Sequence, residues 1–141
     1  MKKTLMLPLA ALALVSCGGD NNVNFTEAEA YFVRNDVEQV PCFISSEAER
    51  DSTLGMATTM TSRPTEIDFD TEVAVPVALP ETNVPTEVAI KSVSVSGDEL
   101  VVTCDVKRAD KEASYSMKPF AMAIVKKADI EGVKAVRVVE E

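Results

Sequence analysis

Histidine and tryptophan are both absent from this chain of 141 residues, and cysteine occurs only three times. Without histidine there is no Ser-His-Asp or Cys-His pair to activate a nucleophile, and no side chain that titrates unperturbed near neutrality. The usual zinc sites are excluded by the same count. Basic residues are also scarce: 14 Lys and Arg face 23 Asp and Glu, for a net charge of −9. A surface this acidic is repelled by nucleic acid and by anionic lipid headgroups, so no nucleic-acid partner is expected. Two tyrosines and five phenylalanines are the whole aromatic set. Most belong in a core, which leaves Tyr31, Phe32, Phe43 and Tyr115 as candidates for a glycan-stacking platform. No apolar run reaches the roughly 18–20 residues that a membrane-spanning helix needs.

The longest apolar run, Thr4 to Val15, follows Lys2 and Lys3. Its length and its basic start match the h-region and n-region of an export signal. Leu14, Val15, Ser16 and Cys17 resemble the bacterial lipobox, in which cleavage leaves a diacylglycerol-modified cysteine as the first residue. The resemblance implies two or three acyl chains on Cys17, enough for stable anchoring where one chain is marginal. Residues 1–16 then form a cleaved lipoprotein signal peptide. Residues 17–24 form a flexible tether, since glycine and short polar side chains bury nothing. Loss of Lys2 and Lys3 leaves 12 basic against 23 acidic residues, a net of −11. Gly18 stands where an aspartate marks inner-membrane retention, so the expected address is the outer membrane, with the periplasmic face preferred over the surface.

Residues 25–141 have the size of one domain with one core. "AYFVRND" (Ala30–Asp36) and "EQVPCFIS" (Glu38–Ser45) read as strands around a turn, the second demoted to an edge by Pro41. Ser46 with Glu49 forms a capping-box pattern, which predicts a short helix from Glu47 to Leu54, with Gly55 as its C-cap. Met56–Glu66 lacks any period and reads as loop. Strand signal resumes at Ile67, and "EVAVPVALP" reads as a strand covered on both faces. "EVAIKSVSVS", the turn Gly97–Asp98 and "ELVVTCDVKR" predict a hairpin with a bulge near Lys91–Val93. Val88 and Ile90 are expected on one face of it, and Val93 and Val95 on the other. "FAMAIVKK" and "VKAVRVVEE" supply further strands. The spacing of these runs predicts a mainly β fold, an antiparallel sandwich or barrel-like sheet with one short α-helix.

Cys42 and Cys104 each share the parity of their apolar neighbours, Val40 and Ile44 in one case and Val102 and Val106 in the other. Both thiols are thus expected to point inward. In an oxidising compartment a disulfide between them and a pair of buried free thiols fit this pattern equally. Carboxylate clusters occur in "EIDFD" (Glu66, Asp68, Asp70) and in "SEAERDS" (Glu47, Glu49, Asp51). Neither has the glycine turn and spaced glutamate of a calcium loop, and a solvated strand start and a capped helix face account for them. Tyr115 and Lys118 in "YSMKP" are the remaining candidate proton-transfer pair, against the commoner reading of surface residues at a strand end. No serine lies in a G-x-S-x-G or S-x-x-K context. These residues argue against an enzyme, and they imply no cofactor and no metal site.

The stretches "IDFDTEVAVPVALP", "VPTEVAIKSVSVSGDELVVTCDV" and "MKPFAMAIVKK" resemble the PrcB-like family, named for a protease-complex subunit that binds and stabilises its protease. The glycine-tyrosine of that family's loop is replaced here by Glu87 and Val88. The wider chain also resembles small Bacteroides-type lipoproteins. The resemblance implies a non-catalytic envelope module that binds an exported protein, such as a protease. Its docking loop is expected at Leu79, Pro80, Glu81, Thr82, Asn83, Val84, Pro85, Thr86 and Glu87, with the membrane engaged only through Cys17. The competing expectation is an envelope accessory that binds a glycan or a metal ion, or is purely structural.

Overall fold

The structure is a computed structural model that describes residues 22–141, so Cys17 and the segment ahead of it lie outside the described residues. Eight strands and one α-helix follow in chain order: β1 (Phe25–Glu27), β2 (Tyr31–Val33), α1 (Glu47–Thr53), β3 (Leu54–Met56), β4 (Glu72–Ala78), β5 (Thr86–Ser96), β6 (Glu99–Arg108), β7 (Phe120–Lys126) and β8 (Ala135–Glu140). They form three sheets, ordered β1-β7-β4, β2-β3 and β5-β6-β8. The fold is mainly β and sandwich-like, with one short helix, and it does not close into a barrel.

The sheet β1-β7-β4 is the middle layer, which explains why "EVAVPVA" and "FAMAIVK" carry apolar residues without alternation. Val73, Val75, Val77, Ala121, Ala123 and Val125 pack with Ile90, Val93, Leu100, Val102 and Cys104 of the facing sheet. Ala74 and Met122 turn the other way, onto Val33, Ile44 and Leu54, with Ile67, Phe69 and Phe120 around them. A strand buried on both faces needs apolar side chains at every position, as parallel sheets usually do. Each fully buried Val, Leu or Met side chain contributes roughly 1.5–3 kcal/mol by leaving water.

The hairpin β5-β6 forms as its sequence predicts. Ser96 pairs with Glu99 across Gly97 and Asp98, and Gly97 takes φ 64°, the conformation of the first central residue of a type II′ turn. The register shifts between Ile90 and Ser92, so Lys91 is the extra residue of the bulge. The bulge restores the parity that strict alternation would lose. Val93 therefore lies on the same buried face as Ile90, with Val88 and Val95 packed against it, and not on the opposite face as expected.

Helix α1 begins at Ser46, whose Oγ accepts from the Glu49 N–H at 3.1 Å. The Glu49 carboxylate reaches back to Ser45 N and Ser45 Oγ, at 3.0 and 2.8 Å, instead of to the cap residue itself. Those bonds favour the ionised form and hold the Glu49 carboxyl below its ordinary pKa. Gly55 is not a C-cap. It lies in β3 opposite Phe32, where a Cβ would overlap the Phe32 ring.

Three further expectations are revised. Glu38–Ser45 is not a strand paired with Ala30–Asp36, because β2 pairs with β3, and only Ile44 forms a bridge, to Ala74. Continued pairing along β4 would set Cys42 against Pro76, and Pro76 has no N–H to give. The strand expected from Ile67 starts instead at Glu72. Residues 68–71 form a turn in which Asp68 accepts from Asp70 N–H and from the Thr71 hydroxyl, both at 3.1 Å. Val23, expected within the tether of residues 17–24, is buried in the main core. Finally, the β6-β8 pair is parallel, the exception among otherwise antiparallel pairings.

Candidate functional site: the open side of the sandwich

On one side of the sandwich the chain bridges the two main sheets. Asn22 forms a bridge with Ser94, and Val23 donates to Val93 O at 2.8 Å along the outer edge of β5. Three residues later the same segment pairs with β7 as β1. Glu27 completes the seam: its Oε2 accepts from the Ile90 N–H at 3.0 Å, beside the bulge. That side chain gives a partner to a backbone donor that the edge strand would otherwise leave unpaired.

The opposite side holds the candidate site. A cleft of about 670 Å³ lies between the ends of β4 and β8, with residues of the 33–42 segment as its third wall. Apolar walls come from Val40, Pro41, Val77, Leu79, Val136 and Val138. Val138 is 41% exposed and so presents apolar surface at the mouth of the cleft.

Both strands turn unpaired backbone groups to this side. On β4, Ala74 exchanges bonds with Ile44, while Leu79 N–H reaches Pro119 O on the β7 side. Backbone direction alternates along a strand, so Pro76 and Ala78 also face away from β7. The missing donor of Pro76 therefore costs no bond in the β4-β7 ladder. On β8, Glu141 N–H bonds Cys104 O, and Cys104 is in register with Glu140. Odd-numbered residues of β8 thus face β6, and the N–H and C=O groups of Val136, Val138 and Glu140 form its outer row. No strand pairs with that row among the described residues.

The charged groups of the cleft divide into one satisfied cation and two open anions. Lys118 Nζ donates to the carbonyls of Arg34, Asn35 and Val37 at 3.2, 3.4 and 3.2 Å. An ammonium has three donors, so this one is fully used in holding the 34–37 turn. Lys118 is accordingly a structural residue and does not pair with Tyr115, which stands exposed. Glu38 and Glu81 have no ion-pair partner among the described residues, whereas Arg137–Glu99, Arg108–Glu140 and Lys91–Glu141 pair off on the strands nearby. The rim is therefore negative.

The two cysteines do not form a disulfide. Cys42 is exposed at the cleft, and Cys104 is wholly buried between the sheets; among the described residues both are free. The expectation that both point inward fails for Cys42, because the segment that carries it is not a strand of a buried sheet. Burial first, and then the carboxylates of Glu27 and Glu140, push the Cys104 thiol up to about 11.

Only the first part of the expected docking loop reaches the cleft. Leu79, Pro80 and Glu81 line it. From Thr82 onward the chain is tied to residues 109–117: Thr82 and Met117 exchange backbone bonds of 2.9 and 2.8 Å, Asn83 O accepts from Ala113 N–H, and Pro85 O from Ala109 N–H. Val84 is partly buried beside this corner, and Thr86 and Glu87 already belong to β5. The segment is a braced corner, not a free loop.

The other candidates are placed apart. Asp68 is consumed by its turn, and Glu47 and Asp51 contact Arg50, whose guanidinium lies 5.9 Å from the Phe69 ring. Among the described residues no group of three or more acidic or cysteine side chains is arranged to hold a metal ion. The four candidate aromatics form no shared platform: Tyr31 donates its hydroxyl to Thr65 O at 2.7 Å, Phe43 packs on the main core, and Phe32 lies over Gly55. No helix of the described residues is long and apolar enough to cross a membrane. Compared with known proteins, the chain matches no protein-family model, no curated protein and no solved structure.

Proposed function

We propose that this chain is a non-catalytic binding protein of the cell envelope, anchored through lipid on Cys17 at the periplasmic face of the outer membrane. Its partner is an exported protein, with a protease the leading class. The single observation that carries the binding role is the cleft between β4 and β8, where apolar walls, two acidic rim residues and an unpaired strand edge meet. Such a combination suits a macromolecular surface, since an unpaired strand edge is a feature that a solitary domain normally covers or blunts. The lipobox resemblance of residues 14–17 supports the anchor. The PrcB-like resemblance of the segments that form β4, β5-β6 and β7 supports the protease class.

Two experiments test the reading. Cys17→Ser should shift the protein from the membrane fraction to the soluble fraction, or leave its precursor uncleaved; unchanged acylation sinks the anchor. Pull-down from envelope extracts should retrieve a protein that binds saturably. Retrieval of a glycan alone, or of nothing, rules against a protein partner.

A further inference from the structure

The outer edge of β8 sets out the terms on which a partner would bind. Strand edges in solitary proteins are commonly blunted by lysine, proline, a bulge or a covering loop. The outer row of β8 consists of Val136, Val138 and Glu140, which includes neither lysine nor proline, and its register with β6 runs from Ala135 to Glu140 without a bulge. The β5 edge of the same sheet is treated differently, since Val23 and Glu27 take up its groups at Val93 and Ile90. The side chains of Val136 and Val138 line the cleft. A strand added to β8 would therefore place every second side chain against Val40, Val77 and Leu79.

We infer that β8 accepts an extended segment of a protein partner as an added strand, and that this segment is apolar in alternate positions with lysine or arginine at its ends. The inference rests on the binding role proposed above and names the chemistry of the partner. Main-chain bonds to the outer row supply affinity, and the alternate side chains supply selection, as in other edge-strand complexes. Charge complementarity identifies the occupant. Glu38 and Glu81 stand at the rim without an ion-pair partner among the described residues, and the three donors of Lys118 are already taken by carbonyls. The lining charges thus sum to −1, and the whole chain carries −9. The same charges oppose a second copy of this chain, because two acidic rims would meet.

The test uses the purified full chain and a fluorescein-labelled peptide, Lys-Thr-Val-Thr-Val-Thr-Lys, whose valines and terminal lysines share one face. Fluorescence anisotropy should show saturable binding that weakens as salt rises. The counterpart with glutamate at both ends should bind at least about tenfold more weakly. Glu38→Gln combined with Glu81→Gln should weaken the basic peptide by about threefold to tenfold and flatten its salt dependence. Val138→Pro should abolish binding, because it removes a donor from the outer row while the β6 bonds, made by the odd-numbered residues, survive. Val138→Thr should retain most of it.

Peptides N-methylated at every second residue, made in both phases, test the edge without touching the protein. One phase should lose binding and the other should keep it. Equal binding by basic-ended and acidic-ended peptides, equal loss in both methylated phases, or a dimer in sedimentation that Val138→Pro dissolves would each overturn the inference. A partner pulled down equally by the wild type and by Val138→Pro would also overturn it, and would leave the proposed function standing. Peptide binding as described with no envelope protein captured would uphold the edge and overturn the function.

Discussion

The two sides of this sandwich solve the same problem in opposite ways. Two packed sheets leave strand edges on either side. On one side the segment from Asn22 to Glu27 crosses from β5 to β7 and occupies the edge groups with backbone bonds and one carboxylate. On the other side β4 and β8 end in a cleft walled by a turn that a lysine holds in place. The difference teaches that closure here is local and depends on a few named residues. The seam carries stability, and the cleft keeps a sheet edge available.

The largest expected effect comes from breaking the seam. Val23→Asp puts a charge against the main core and should destabilise by about 3 kcal/mol or more, measured by urea unfolding. A loss below about 1 kcal/mol would mean that the two sides are equally loose. Next comes pH. Cys104 lies between the sheets, and its thiol pKa is about 11 in the folded chain against an ordinary 9.0. The unfolded chain releases that proton first. Stability from this residue is therefore intact below about pH 9 and falls by roughly 2–3 kcal/mol as pH rises to about 11. Cys104→Ala should flatten that part of the profile, although the cavity it leaves lowers stability at every pH. A wild-type curve with the same slope as the variant would show that Cys104 is not held in its buried form.

Lys118→Met tests the open side. Loss of three bonds from one ammonium should cost about 1–3 kcal/mol. Hydrogen exchange should quicken at residues 34–37 and leave the Val23–Val93 seam unchanged. Acceleration spread evenly over both sides would contradict a local role. The smallest effect is expected from Val138→Asp, which changes a partly exposed side chain and should alter stability by no more than about 0.5 kcal/mol. Set beside Val23→Asp, it gives the contrast between the two sides in one measurement.

Features fixed by short-range chemistry were legible in the sequence. The Gly97 turn, the bulge at Lys91 and the Ser46 cap each depend on residues within a few positions of one another. Features fixed by distant partners were not. The segment Glu38–Ser45 has strand composition, yet Pro76, more than 30 positions away, denies it a ladder. Parity placed Cys42 inward because it assumed a strand that does not form. Glu27 gave no signal, and Lys118 stood out only as a proton-transfer candidate, since their actual partners are backbone groups brought near only by the fold. Of the expected docking loop, Leu79, Pro80 and Glu81 reach the cleft, while Val136 and Val138 could not have been assigned to it without the parallel β6-β8 pairing.

The seam at Asn22 and Val23 also has a mechanical consequence. Tension that enters along the chain from the residues ahead of Asn22 meets the bridge to Ser94 and the bond to Val93 first, and only afterwards the β1-β7 pairs. Those first contacts act as a fuse. If they part, Val23 leaves the core and the β5 edge is bared, while β4, β7 and the β5-β6 hairpin keep their own pairings. A pull from the leading end would thus convert the sewn side into a second open side before it unravels either main sheet. Stretching a single molecule from that end should accordingly show one small early extension, well below the force that unfolds the rest, and Val23→Asp should erase it.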